Sequence, residues 1–397
     1  MRTRTTLLLV LCTLLVSAVP AGVAGAASAP GATTAHAGVS DAALQQEVPD
    51  CTYPFTSTDA TGEEVTVEEA PETVTTLGPS AAQTMWEIGG KEQVVGLSSN
   101  AEYLADAETR TNVSASGFGF STEAVVGTEA DLVLAANIVS NETVTALRDA
   151  GMTVYKFEAA TSIDDVANKT ERIGRLTGNC EGAAEANAWM YANVETAQSV
   201  TADADAPEVL VPLGGSSLAG GGTFINAMVN ASGGANLAVE EFDAPYPYGV
   251  SDETILELDP GMLVLQEGSE GLITQQPYAA TTAGENNASV VVDGNYLSQP
   301  APRSVVYTTQ NLTEGFHPDA AASAEWTARS EVSVGATPTA TTTETTETTN
   351  APQTTVTEDT EATVTPGTNT TGEAPGFGGV AALAALAAGA ALLSRRD

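Results

Sequence analysis

The chain has 397 residues, with 51 acidic against 13 basic side chains, a formal charge of −38 and two histidines. The acid runs through the whole length, which excludes a nucleic-acid partner, because phosphate binding needs clustered Lys and Arg. So dense an acidic coat repels itself in dilute buffer and is screened in concentrated salt, which suggests a halophilic setting.

Arg2 and Arg4 precede an apolar run from Leu7 to Val16, followed by a small-residue stretch containing Ala24-Gly25-Ala26. A positive segment, a short apolar core and a small-residue cleavage site describe a secretory signal. It is expected over residues 1–27, with a disordered leader over 28–48. Two cysteines then remain, Cys51 and Cys180. In an oxidising compartment an even pair suggests one disulfide, with two separate thiols as the alternative.

Residues 49–160 alternate short apolar runs with helical stretches. Val74-Thr75-Thr76-Leu77 reads as a strand and leads through Gly78-Pro79-Ser80 into a helix containing Met85 and Trp86. Val94-Val95-Gly96-Leu97 is a second strand, and a helix from Thr122 to Val126 leads to the strand Leu132-Val133-Leu134. Asn141 to Ala150 is helical, Gly151 stops it, and Thr153 to Phe157 forms the next strand. Strands alternating with helices predict an α/β lobe with a parallel sheet.

Ser162 and Asp165 form a capping box, and apolar residues at three- and four-residue spacing continue from Ile163 to Val194. The pattern predicts one long linking helix over 161–201, bent at Gly178. After Pro207 the alternation restarts over 202–330, with strands at Val209–Val211, Met262–Leu265 and Val290–Val292 and helices at Phe224–Val229 and Ser251–Leu258. Two α/β lobes joined by a long helix predict a rigid clamshell, with its ligand in the cleft at the carboxyl-terminal ends of the strands.

Residues 331–374 form a Thr- and Glu-rich stretch with almost nothing to bury, which reads as an extended, glycosylated stalk. Pro375-Gly376-Phe377 follows, then the apolar segment Gly378 to Leu393 and the pair Arg395-Arg396. As a helix that segment would span about 24 Å, somewhat short for a hydrocarbon core of roughly 30 Å. The order stalk, Pro-Gly-Phe, apolar helix, Arg pair over 375–397 resembles PGF-CTERM, a sorting signal of surface proteins in halophilic archaea. The resemblance implies removal of the helix by an archaeosortase-type enzyme and attachment to a membrane lipid at the outer cell surface; a retained anchor helix is the plainer alternative. Seven Asn-x-Ser/Thr sequons, at Asn112, Asn141, Asn168, Asn230, Asn287, Asn311 and Asn369, are candidate glycosylation sites.

The middle of the chain resembles the periplasmic-binding-protein family that serves ABC importers of vitamin B12, iron-siderophores and haem. The stretches that carry the likeness include Val74-Thr75-Thr76-Leu77-Gly78-Pro79-Ser80, Ser121-Thr122-Glu123-Ala124-Val125, Gly174-Arg175-Leu176-Thr177-Gly178, Gly222-Thr223-Phe224-Ile225, Val250-Ser251-Asp252-Glu253 and Pro300-Ala301-Pro302-Arg303. The resemblance implies a solute receptor that delivers its ligand to an ABC permease and ATPase, not an enzyme, and needing no cofactor. It implies that Glu123 and Glu253, one per lobe, dock to arginine pockets on the permease; helix-capping acid is their plainer role. It places Ser80, Gln83, Phe118, Phe120, Asn137, Thr223, Tyr246, Tyr248 and Arg303 at the cleft, with Arg303 positioned for an anionic group of the ligand. Facing aromatic loops suit a large flat or macrocyclic ligand held without metal coordination. Phe and Tyr stand where vitamin B12 binders commonly place tryptophan, so the implied ligand is a corrinoid or a ferric chelate, siderophore or haem.

Two other classes fit less well. A hydrolase or zinc protein lacks its usual parts, since no His-Glu-x-x-His or Gly-x-Ser-x-Gly occurs. A structural or adhesive surface glycoprotein would share the stalk and anchor, but repeated β-sandwich modules are expected there rather than βα alternation.

Overall fold

A computed structural model describes residues 51–116, 119–214 and 216–334. The expected signal segment, leader, stalk and sorting tail lie outside the described residues. Among those residues no helix is long and apolar enough to cross a membrane.

The first lobe opens with a hairpin, β1 (Phe55–Thr58) and β2 (Glu64–Val67), whose alternate side chains Phe55, Val65 and Val67 are buried. The parallel elements follow as β3 (Val74–Leu77), α1 (Pro79–Glu87), β4 (Val94–Leu97), β5 (Thr111–Asn112), α2 (Thr122–Val126), β6 (Leu132–Ala135), α3 (Asn141–Asp149) and β7 (Val154–Lys156). The five strands lie in the order β5-β4-β3-β6-β7, all parallel. β3 and β6 are buried at every position because helices cover both faces of the sheet.

The stretch expected as one bent linking helix is two helices, α4 (Ile163–Thr177) and α5 (Cys180–Thr201), folded back on each other. Ala167 O accepts from Asn187 Nδ2 at 2.9 Å, and Tyr191 reaches Asp164 at 2.8 Å, so the two run antiparallel. The turn is made at Gly178, whose φ of 80° lies in the left-handed region that glycine enters without a Cβ clash. The Ser162–Asp165 capping box opens α4 as the sequence predicts. Ile173, Leu176, Ala183 and Ala186 pack into the first lobe's core, whereas Val166, Trp189, Met190 and Val194 pack into the second's. The hairpin therefore spans both lobes. Cys51 is bonded to Cys180 at the start of α5, with a Cα separation of 5.8 Å and 129 residues between them in sequence.

The second lobe comprises β8 (Glu208–Leu210), β9 (Pro212–Gly214), β10 (Ser217–Leu218), α6 (Phe224–Ala231), β11 (Ala235–Asn236), α7 (Ala238–Glu241), α8 (Asp252–Leu258), β12 (Met262–Gln266), α9 (Thr282–Asn286), β13 (Ser289–Val292), α10 (Gly294–Leu297), α11 (Pro302–Phe316) and α12 (Pro318–Ala321). Its parallel sheet has the order β11-β8-β12-β13. α11 was not expected from the apolar pattern. Its buried face carries Ser304, Thr308, Thr309 and Thr313 beside Val305, Val306 and Leu312, and it packs along α5.

Candidate functional site

The two sheets are tied where the carboxyl-terminal ends of β3 and β13 lead into helices. Gln83, in α1, is fully buried, and its Oε1 accepts from Ser304 N at 3.1 Å and Ser304 Oγ at 2.9 Å in α11. Lys169, in α4, donates to Ser80 Oγ at 2.8 Å and to Pro300 O at 3.1 Å, joining three segments through one amino group. Burial pushes that amine down to about 7. Arg303 donates from Nε to Glu87 Oε2 at 2.8 Å, and Arg329 donates to Glu87 Oε1 at 3.1 Å and to Glu185 at 3.2 Å. Desolvation works against the charge on Arg303, but the Glu87 carboxylate more than offsets it, so its pKa is raised.

These contacts revise part of the sequence reading. Ser80, Gln83 and Arg303 do converge, but on the seam between lobes: Gln83 is spent on Ser304 and Tyr103, and Arg303 is neutralised by Glu87. Arg303, expected beside an anionic group of the ligand, is held by Glu87 in this internal ion pair. Thr223 is buried as the cap of α6, accepting from Asn226 N and donating its proton to Gly220 O.

The remaining candidates lie on loops. Asn137 is exposed just past β6, beside Ile138 at 62% exposure. Phe120 is half-buried against the first lobe's core, and Phe118 lies outside the described residues. Tyr246 and Tyr248 sit on a loop of the second lobe held by Leu218 N and Gly220 N, which donate to Pro247 O and Pro245 O; Tyr248 is 82% exposed. Among the described residues no ring pairing joins Phe120 to either tyrosine.

Aromatic residues that the sequence reading did not single out form a continuous row instead. Tyr103 (in the loop after β4) meets Tyr296 of α10 with centroids 6.4 Å apart; Tyr296 meets Tyr307 of α11 at 5.1 Å, and Tyr307 meets Trp189 of α5 at 6.0 Å. All three pairs are edge-to-face, the arrangement favoured by the ring quadrupoles. The row starts in one lobe, crosses the seam and ends on the hairpin. Tyr103 and Tyr296 are partly exposed and Tyr307 is 42% exposed, so the row forms an open wall. Pockets of about 180 Å³ beside Asp252 and Tyr278 and about 260 Å³ beside Lys169 and Arg172 lie elsewhere, with none of the row in their lining. Burial pushes the Tyr103 phenol up to about 12. No group of three or more His, Cys, Asp or Glu among the described residues is placed to hold a metal ion.

Glu123 and Glu253 occupy matching places. Each is the exposed second residue of a short helix capped by serine, with Ser121 Oγ accepting from Ala124 N and Ser251 Oγ from Thr254 N. Each helix also precedes the strand that pairs with the first parallel strand of its sheet, β6 beside β3 and β12 beside β8. The six sequon asparagines in the described residues (112, 141, 168, 230, 287 and 311) are all exposed, as glycosylation would require.

No family model matches the chain. Among curated proteins it is similar to the cobalamin-binding protein of Halobacterium salinarum, with 42% identity over 279 residues covering 67% of this chain and 75% of that protein. It is also 24% identical, over 67% of its length and 87% of the other's, to an uncharacterized ABC transporter substrate-binding lipoprotein, YvrC, of Bacillus subtilis. Similar solved structures include the periplasmic heme-binding protein RhuT of Roseiflexus (TM-score 0.56, 22% identity, 62% of this chain and 99% of that one) and the heme-binding protein HmuT (TM-score 0.58, 20% identity, 67% and 86%). At these identities the structures establish the two-lobed fold.

Proposed function

Because the chain belongs to the family of ABC-importer substrate-binding proteins that includes the cobalamin-binding protein of Halobacterium salinarum, we propose that it captures a corrinoid at the outer cell surface and hands it to a permease. Like its relatives it is a binding protein, not an enzyme. The observation that carries the ligand assignment is the 42% identity to a cobalamin-binding protein. The row Tyr103–Tyr296–Tyr307 supports it, since three ring edges and faces on an open wall suit a broad macrocycle held by stacking and apolar contact. Haem and ferric siderophores are the competing cargoes.

In this reading Glu123 and Glu253 dock the loaded receptor to permease arginines by charge-assisted pairs, with the adjoining helix amino termini favouring the carboxylates. The PGF-CTERM-like tail, Pro375-Gly376-Phe377 onward, would hold the receptor at the membrane through its stalk. The deciding experiment titrates purified protein in molar NaCl with cyanocobalamin, haemin and a ferric hydroxamate, following tryptophan fluorescence. Trp189 ends the aromatic row, so a corrinoid seated there should quench it. Saturable quenching by cyanocobalamin alone is the expected result; preference for haemin reassigns the cargo, and no binding to any of the three removes the reading. Glu123→Ala with Glu253→Ala should abolish cellular uptake and leave affinity unchanged. A loss of affinity would put those residues in the cleft instead.

A further inference from the structure

Hydrogen-bond bookkeeping at the seam fixes the direction of one donor. Gln83 Oε1 faces both the amide N–H and the hydroxyl of Ser304. The N–H can only donate, so this end of the side chain must be the carbonyl oxygen. Gln83 Nε2 then points the other way and donates to Tyr103 Oη at 2.7 Å. A phenol oxygen that accepts still has its own proton to give, and among the described residues Tyr103 Oη has no other hydrogen-bond partner. The ring is partly exposed at the carboxyl-terminal end of β4, edge-on to Tyr296 of the opposite lobe.

Resting on the corrinoid reading above, we infer that Tyr103 is the donor with which the wall reads a carbonyl or carboxylate oxygen at the rim of its ligand, and that Gln83 is the positioning residue that aims it. The Ser304–Gln83–Tyr103 chain crosses from one lobe to the other, so the donor is set only when the two helices α1 and α11 are in register. Burial keeps the Tyr103 phenol protonated across the working pH range. A protonated phenol with a free donor suits a rim acceptor, such as a side-chain amide of a corrinoid.

The test compares wild type, Tyr103→Phe, Gln83→Glu and the double variant for cyanocobalamin affinity by calorimetry in molar NaCl, with circular dichroism to confirm folding. Tyr103→Phe keeps the ring and loses only the donor, which should weaken binding about five- to tenfold. Gln83→Glu removes the N–H that Tyr103 Oη accepts and puts an acceptor oxygen there, so the Tyr103 hydroxyl turns to donate to it and is lost to the ligand. A similar loss is expected, with no further loss in the double variant. Unchanged affinity in folded Tyr103→Phe, or losses that multiply in the double variant, overturns the inference while leaving the corrinoid reading intact. Wild-type protein that takes no cyanocobalamin overturns that reading and this inference with it.

Discussion

Glu87 offers the sharpest test of how the lobes are held. Its side chain is only 6% exposed and accepts from two guanidinium groups, Arg303 at 2.8 Å and Arg329 at 3.1 Å, each 27% exposed. Replacing it with Gln keeps the volume but removes the charge, and turns one acceptor oxygen toward an arginine as an N–H donor. Removing one partner from a buried pair costs about 3–5 kcal/mol, mostly through the charge left without a counterpart. Here both arginines keep some contact with water, and Arg329 retains Glu185 at 3.2 Å, so the expected loss is lower, about 2–4 kcal/mol. For a domain of this size that corresponds to a fall in Tm of roughly 5–12 °C.

Urea and thermal unfolding at constant high NaCl would measure the loss, with Glu92→Gln as the control. Glu92 is 85% exposed and lies 3.6 Å from Arg110, so its pair should contribute at most about 1 kcal/mol, and less as salt rises. The Glu87 effect should persist in salt, because water and ions are excluded from most of that contact. A Glu87→Gln protein within about 0.5 kcal/mol of wild type, or indistinguishable from Glu92→Gln, would refute the claim that this carboxylate fastens the lobes.

Two further predictions concern the same junction. A Cβ at Gly182 in α5 would run into the carbonyl oxygen of Ile88 behind α1, so Gly182→Ala should lose about 1–3 kcal/mol despite alanine's better helix propensity; an unchanged urea midpoint would contradict the close approach. Lys169 titrates near 7 when folded and near 10.5 when unfolded, so between those values the unfolded chain holds the extra proton and stability rises with pH. The slope contributed is at most about 1.4 kcal/mol per pH unit. Lys169→Met should flatten the rise between about pH 7.5 and 9.5, and an identical slope in the two proteins would dismiss the buried amine as its source.

The alternation of strands and helices was legible because Val74–Leu77, Leu132–Ala135 and Met262–Gln266 are buried on both faces and read as short apolar runs. α11 was not, because threonines on its buried face are polar in any hydropathy pattern; in the fold Thr313 bonds back to the helix carbonyl of Thr309 and is satisfied. The reversal at Gly178 escaped for a different reason. Ile173, Leu176, Cys180 and Ala183 keep helical spacing straight through it, so the period gives no sign that the chain has turned. The contacts of Arg303 with Glu87 and of Gln83 with Ser304 were not legible, since the partners lie more than 200 residues apart in sequence. Long-range ion pairs leave no local signal in one sequence.

Those pairings bear on how the ligand must be held. In a chain of net charge −38, cations are scarce, and every lysine and arginine among the described residues has a partner within the fold. Arg148 binds Asp59, Arg172 reaches Ser57 across the Phe55 ring, Lys156 reaches Asn141, and Lys169, Arg303 and Arg329 fasten the seam. To recruit Arg303 or Arg329 at the seam, a ligand anion would have to compete with the buried Glu87 carboxylate that both guanidinium groups already hold. Stacking surface and neutral hydrogen-bond donors carry no such penalty. That weighs toward a ligand recognised by ring area and rim amides, and against one recognised chiefly by its negative charge.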